Sequence, residues 1–218
     1  MTIDVAHELR TPLTKIQGYL EALIDGVLSA SYETCELLLE ETLRLVRLVE
    51  DILRLAKADA ARADLQKEKI LLKTLIEREI DSFRSRFDQK CIGIEMQFRQ
   101  PAYAVRADPT KLTQVVRNLI QNAWEYAPPE GRLRIATQLR SGEIRVGFSN
   151  TGGEIAEKDL PIIFERFFRG EKSRSRKHGG AGIGLAIVKE LIGAHGGQVG
   201  AEISDGQTHI WFSLPTEA

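Results

Sequence analysis

The chain has 218 residues, enough for one large domain or two small ones, and its 43% hydrophobic content suffices for a real core. A net charge of −1 excludes a global pull toward nucleic acid or anionic lipid. No apolar run approaches the ~18 residues of a membrane span and no signal peptide is present; Cys35 and Cys91, far apart in different elements, read as two buried or half-buried free thiols in a reducing compartment.

Residues 3–28 read as a helix, because Leu9, Leu13, Ile16, Leu20, Leu23 and Val27 recur at spacings of four and three and make one apolar stripe. It begins almost at the first residue, which suggests a fragment whose helix continued upstream. A turn falls within Gly26–Ser31. Residues 33–60 form a second helix, with Leu38, Leu45, Val49, Ile52 and Ala56 at helical spacing and Leu39, Leu43 and Val46 widening the face. Two helices joined by a short loop are an antiparallel hairpin. One hairpin buries its stripes poorly, and pairing two into a four-helix bundle solves this, so a homodimer is expected. Around Ala58–Asp64 the stripe dissolves into Ala, Asp and Arg, which places a domain boundary there and divides the chain into 1–62 and 63–218.

Beyond the boundary the pattern becomes mixed α/β. A strand near Lys69–Leu71 leads to a helix over Leu75–Phe87, then strands near Ile92–Phe98 and Ala104–Arg106. Asp108-Pro109 has the form of an N-cap followed by proline at the first helical position, and opens a helix to about Tyr126. Strands near Arg132–Gln138 and Ile144–Ser149 form a hairpin around Ser141-Gly142. A polar, Gly-rich stretch follows, then a helix over Ile183–Ala194 and closing strands over Gln198–Ile203 and His209–Ser213.

Two parts of this layout carry chemistry. With the first stripe set at 0° on a helical wheel, His7 falls near ~160° and Thr11 near ~200°, side by side and away from the core. A core role for His7 is therefore disfavoured, which leaves an ordinary solvated histidine or a functional one. Glu8 can polarise the imidazole, fixing one tautomer and making the other nitrogen more nucleophilic. Pro12 removes the partner of the Glu8 carbonyl, so the helix should bend one turn beyond the histidine, unless Pro12 is only a tolerated kink.

In the second half, Asn118 and Asn122 lie four apart on one helix face. An amide oxygen there suits Mg²⁺, which keeps waters and phosphate oxygens as its other ligands; the alternative is that both bond neighbouring backbone or cap loops. The run Gly180-Ala181-Gly182-Ile183-Gly184-Leu185 precedes a helix, where glycines permit close backbone approach to a phosphate and the helix N-terminus supplies free N–H donors. A dinucleotide-binding reading fits poorly, since no strand of a βαβ unit leads into the run. Arg166, Arg169, Lys172, Arg174, Arg176 and Lys177 stand against one acid, Glu171, just before this loop. Such a run is usually a solvated face, but here it reads better as a basic lid over triphosphate.

Together these segments resemble the catalytic core of a bacterial two-component sensor histidine kinase over essentially the whole chain. His7-Glu8-Leu9-Arg10-Thr11-Pro12-Leu13 is similar to the H box, Asn118-Leu119-Ile120-Gln121-Asn122-Ala123 with Tyr126 to the N box, Phe164-Glu165-Arg166-Phe167-Phe168-Arg169 to the F box, and Gly180–Leu185 to the second glycine box. The resemblance implies a dimeric helical-hairpin bundle followed by an α/β sandwich ATP-binding domain of the gyrase/Hsp90/histidine-kinase type. It implies ATP and Mg²⁺ as cofactors, His7 as phosphoryl acceptor, Glu8 as its base, and Thr11 as a residue that positions water when a partner is dephosphorylated. It further implies Asn122 as the metal ligand assisted by Asn118, Tyr126 near adenine, and Arg169 and Lys172 facing the phosphates, with Gly180, Gly182, Gly184 and Leu185 in the nucleotide loop. The partner expected is a response-regulator receiver domain that takes the phosphoryl group on an aspartate. The expected location is the cytoplasmic part of a membrane-anchored sensor, with any membrane segment upstream of this chain.

Two departures stand out. The first glycine box usually reads Asp-x-Gly-x-Gly, its Asp accepting from the adenine amine, whereas this chain has Asn150-Thr151-Gly152-Gly153-Glu154. Asn150 can still accept through its amide oxygen, without charge, so a weakened bond is expected to survive. Glu154 takes the place of the second glycine, and Glu125 stands where the N box commonly carries Lys or Arg. These departures motivate the alternative of a degenerate scaffold that binds regulators without turning over ATP.

Overall fold

The computed structural model describes residues 2–60, 65–98, 104–140, 142–152, 155–168, 170, 182–204 and 206–216, with the side chains of 2–5, 7, 51 and 54–60 outside the description. The chain divides into two compact units, Met1–Ala56 and Lys57–Ala218. No helix among the described residues is long and apolar enough to cross a membrane.

The first unit holds α1 (Thr2–Ile24) and α2 (Tyr32–Ala60). The helix α1 runs through Pro12 without a break and Pro12 is buried. It stops at Ile24, short of the expected Leu28, because Gly26 takes a left-handed φ of +69°. Val27 therefore leaves the stripe, and it and Leu28, the expected helix end, are exposed. A new cap opens α2: the Ser31 hydroxyl accepts from the Thr34 N–H at 3.2 Å, and the Thr34 hydroxyl donates to the Ser29 carbonyl at 3.1 Å. Lys15 of α1 and Glu41 of α2 approach to 3.9 Å across the hairpin. Much of the apolar stripe remains open in the single chain, Leu13 at 51% and Leu39 at 58% exposure, with Leu20, Leu43, Val46, Val49 and Leu53 also exposed.

The second unit is a sheet covered on one face by helices. In chain order it contains β1 (Glu68–Leu71), α3 (Leu72–Gln89), β2 (Gly93–Phe98), β3 (Ala104–Ala107), α4 (Pro109–Tyr126), β4 (Arg132–Arg140), β5 (Glu143–Thr151), a 3₁₀ helix (Glu157–Ile162), α5 (Gly184–Ala194), β6 (Gln198–Ser204) and β7 (Gln207–Pro215). The main sheet has the order β2-β4-β5-β7-β6; β2 runs parallel to β4 and every other neighbour is antiparallel. The strands β1 and β3 form a separate antiparallel ribbon.

Alternation decides the core. Ile144, Val146, Phe148 and Asn150 of β5 are buried, as are Thr208, Ile210, Phe212 and Leu214 of β7. Against this face pack Leu112, Val115, Val116, Leu119 and Ile120 of α4 and Ala186, Ile187, Val188, Leu191 and Ile192 of α5. The cap of α4 is the one the sequence spells: Asp108 Oδ1 accepts from the Lys111 N–H at 3.1 Å, with Pro109 at the first helical position. At the other end, the Lys90 ammonium donates to the Trp124 carbonyl at 2.7 Å, and the Trp124 indole donates to the Arg86 carbonyl at 3.0 Å, so α3 and α4 cap each other's C-termini.

The cysteines correct an expectation. Cys35 and Cys91 are free, but both are exposed rather than buried. Cys35 lies in the first turn of α2, and Cys91 sits in the turn after α3 at φ +53°.

Candidate functional site

The segment expected to hold the phosphoacceptor lies on the N-terminal half of α1. His7 is helical, and its side chain lies outside the described residues. Its neighbours follow the wheel: Thr11 and Arg10 are exposed and Glu8 is half-buried. Arg10, Thr11, Thr14 and Lys15 line a depression of about 420 Å³.

In the second unit, α4, α5 and the end of β5 supply the expected nucleotide residues. The half-buried Asn118 and Asn122 lie on the face of α4 beside its apolar stripe. Asn118 Nδ2 donates to the Gly184 carbonyl at 3.2 Å, which ties the middle of α4 to the first residue of α5. Asn122 makes no hydrogen bond with another described residue, leaving its amide available. Tyr126 is the last residue of α4 and is half-buried. Near it, the amide of Gln121 donates to the Glu125 carboxylate at 2.9 Å, so Glu125 faces its own helix.

Among the described residues, no side chain caps the N-terminus of α5. Its N-cap residue, Ile183, provides no side-chain hydrogen bond, so the first N–H groups of the helix keep their donors free of any side-chain cap. A Cβ at Gly184 would meet nothing within 4 Å, and Gly182 holds φ at +73°. Leu185 is half-buried in the first turn. Gly180, Arg169 and Lys172 lie outside the described residues, as do Gly153 and Glu154. The start of the basic run and the residue before it are fastened to α5: the Lys189 ammonium lies 2.7 Å from the Glu165 carboxylate, and Arg166 lies 3.7 Å from Glu190. The Lys189 ammonium holds the Glu165 carboxyl below its ordinary range.

Asn150 is not in a loop. It occupies the last inward position of β5, 3% exposed, paired in register with Leu133 and Thr208. Its Nδ2 donates to the Thr151 carbonyl at 3.3 Å, which leaves Oδ1 as the arm able to accept. Thr208 is the residue that sequence reasoning missed. It is buried beside Asn150 on β7, a polar side chain at an otherwise apolar inward position, and that break in the alternation was its signal. Gly152 closes this corner. Its φ is +80°, and a Cβ there would lie 2.6 Å from Pro128 Cδ.

These features fit an adenine nucleotide: a buried, polar end at Asn150 and Thr208, an amide at Asn122 without a hydrogen bond to another described residue, and a helix N-terminus without a side-chain cap among the described residues.

A helical phosphoacceptor hairpin and an ATPase-type sandwich in one chain define the class. Residues 107–218 match the family of histidine kinase-, DNA gyrase B- and HSP90-like ATPases, and residues 1–61 match the His Kinase A (phospho-acceptor) domain. The chain belongs to this ATPase family and carries the domain pair of a two-component sensor histidine kinase catalytic core. It is 37% identical over 218 residues to the sensor histidine kinase WalK of Bacillus subtilis, covering 97% of this chain and 36% of that protein. It is 37% identical over 216 residues to the signal transduction histidine-protein kinase BaeS of Escherichia coli, covering 98% of this chain and 46% of that protein. The chain therefore spans less than half the length of these curated relatives. Among solved structures, the Acinetobacter baumannii histidine kinase AdeS superposes with a TM-score of 0.74 at 27% identity, covering 97% of this chain and 98% of that one. The histidine kinase ThkA, solved in complex with the response regulator TrrA, gives a TM-score of 0.82 at 26% identity, covering 100% of this chain and 61% of that one.

Proposed function

We propose that the chain is an ATP-dependent protein-histidine kinase that autophosphorylates on His7 and passes the phosphoryl group to an aspartate of a response regulator. The observation that carries this is the pairing, in one chain, of a histidine-bearing helical hairpin with an α/β unit in which Asn122 and the N-terminus of α5, neither capped nor paired by a described side chain, suit a triphosphate and its metal. Bound there, ATP supplies the γ-phosphoryl group. Asn122 holds Mg²⁺ through its amide oxygen, with Asn118 assisting. Asn150 accepts from the adenine amine beside Thr208, and Tyr126 packs near the ring. Gly152 lets the chain close over this end. Gly180, Gly182, Gly184 and Leu185 present backbone N–H groups to the phosphates, and Arg169 and Lys172 neutralise charge from the basic run; such chemistry is chiefly positioning and charge neutralisation. Glu8 polarises the His7 imidazole and takes its proton, and Thr11 positions water for dephosphorylation of the regulator.

We take residues 1–62 as the dimerisation and phosphotransfer domain and 63–218 as the ATP-binding domain. The exposed apolar stripe of α1 and α2 supports a homodimer through a four-helix bundle. The ThkA complex with a response regulator supports the choice of partner. The kinship to longer sensor kinases supports a place on the cytoplasmic side of a membrane-anchored sensor.

Incubation with radiolabelled ATP and Mg²⁺, followed by acid treatment, tests the activity, since phosphohistidine is acid-labile and phosphoserine is not. The label should be lost in acid and absent from His7→Gln, while ADP binding persists in that variant. Undiminished labelling of His7→Gln refutes the acceptor. Wild-type protein that binds no nucleotide at millimolar concentration promotes the scaffold reading.

A further inference from the structure

One buried polar group lies outside the chemistry above. His195, 5% exposed, follows the C-terminus of α5 and reaches the N-cap of α4. Its Nε2 lies 3.0 Å from the backbone nitrogen of Asp108, and its Nδ1 lies 2.7 Å from the Leu191 carbonyl. The polarity of both bonds is forced. A backbone N–H only donates, so Nε2 accepts; a carbonyl only accepts, so Nδ1 carries the proton. The ring is therefore neutral in one tautomer. The charged groups facing it are the Asp108 carboxylate, which accepts from the Lys111 and Gln66 N–H groups, and Lys67 before β1.

This bond has a counterpart at the far end of the same helix pair. His195 and Asp108 join the end of α5 to the start of α4, and Gly184 and Asn118 join the start of α5 to the middle of α4. The two helices run antiparallel. At 1.5 Å per residue, the attachments are about 15 Å apart along α4 and about 16 Å apart along α5, so the spacings agree. The two helices are in contact, and over this span both carry buried apolar residues, Val115 and Val116 on α4 and Ile187 and Leu191 on α5. Polar contacts at two points can fix a register that apolar packing specifies less sharply.

We propose that His195 is a positioning residue for nucleotide binding: it fixes the register of α5 along α4, and so sets the Gly-rich N-terminus of α5 opposite Asn118 and one turn from Asn122. The proposal rests on the nucleotide reading of that pocket. Its elements are the neutral ring, the two forced hydrogen bonds, and the matched attachment at Gly184.

The test is calorimetric titration of ADP with Mg²⁺ into the full 218-residue chain, as wild type, His195→Leu and His195→Gln. Leucine keeps the bulk and loses the acceptor, so affinity should fall about tenfold, the value of one lost buried hydrogen bond. The amide oxygen of glutamine can take the place of Nε2, so His195→Gln should stay within about threefold of wild type. In the His195→Leu background, Asn118→Ala should cost less than in wild type, because the attachment it breaks is already out of register. Wild-type affinity should also fall more steeply in acid than that of His195→Gln, at pH values below the ordinary imidazole range, because proton uptake at the buried Nε2 removes the acceptor, whereas protonation of the ADP phosphate weakens both proteins alike. A folded His195→Leu protein that binds ADP as tightly as wild type overturns the proposal. If His195→Leu does not fold, the pH profile decides: the same acid limb in His195→Gln as in wild type overturns it. Wild type that binds no ADP removes the nucleotide reading itself and the proposal with it.

Discussion

Replacing Gly152 by alanine should strain the corner of the pocket by an amount the geometry supplies. Two costs add. The backbone holds φ at +80°, where an L-residue loses roughly 1–2 kcal/mol. The new Cβ would lie 2.6 Å from Pro128 Cδ and 2.9 Å from Pro128 Cγ, and a pyrrolidine ring cannot rotate out of the way. Forcing such a contact open costs about 1–3 kcal/mol more. The total, about 2–5 kcal/mol, is a large share of a typical domain's stability and can leave the protein folded. Urea unfolding read by tryptophan fluorescence isolates the effect, because both tryptophans, Trp124 and Trp211, belong to the second unit. A double-mutant cycle separates the two costs. In a Pro128→Ala background the ring carbons are gone, so Gly152→Ala should cost only the backbone part, about 1–2 kcal/mol. If Gly152→Ala costs the same in both backgrounds, the clash is not what requires glycine. If it costs nothing in either, the argument from backbone and packing fails altogether, and the glycine answers only to the ligand.

Burial pushes the His195 imidazole below its ordinary value of 6.5 and Lys67 adds to this, while the Leu191 hydrogen bond and Asp108 oppose it. As pH falls through that value the unfolded chain takes up a proton that the folded chain refuses, so stability should drop between about 6.5 and the lower folded pKa, and His195→Gln should lack this loss in urea titrations across pH; a parallel acid loss in both proteins would exclude His195 as its source. Charging the open stripe with Leu13→Glu and Val49→Glu should give monomers in sedimentation, since a dimer would bury unpaired charge; a normal dimer removes the bundle. Asn150→Ala should weaken ADP binding by about 1–3 kcal/mol, whereas Asn150→Asp should keep or tighten it; equal ADP affinity in wild type and Asn150→Ala shows that the adenine contact lies elsewhere.

Much of the fold was legible because several elements announce their own ends. Asp108-Pro109 opens α4 as read, and the β4–β5 and β6–β7 pairs follow from alternation. What was missed depends on partners distant in sequence or on a single dihedral. Val27 continues the apolar spacing of α1, yet the left-handed Gly26 outweighs that pattern and ends the helix. The 3₁₀ helix over Glu157–Ile162 contains Pro161 and has no helical stripe to reveal it. In the candidate site, the face shared by Asn118 and Asn122 could be read from their spacing. That Asn118 would hold Gly184 could not, because their contact spans 66 residues and depends on how α4 meets α5. His195 is a similar case: in the sequence it is one histidine beyond an apolar helix, and only the fold supplies Asp108.

The substitution at position 150 takes on a specific meaning in this setting. A carboxylate can only accept, and its two oxygens are equivalent. An amide has distinct arms, and here one of them is already committed: Nδ2 donates to the Thr151 carbonyl, which leaves Oδ1 as the arm able to accept. That bond is long, at 3.3 Å, so its energy is small, but it selects one of the two amide orientations. The departure thus exchanges charge for orientation. The neutral acceptor makes the weaker bond to an amine, yet it avoids burying an ionised carboxylate at a position only 3% exposed, beside Thr208 and below the apolar face of α4. Loss of charge at this point therefore agrees with the proposed adenine contact as readily as with a scaffold. A scaffold would be expected to fill the position with an apolar side chain matching Phe148 and Ile210 on the same face. Instead, β5 keeps a polar group at the inward position nearest the Gly152 corner, and β7 places a second one, Thr208, directly opposite.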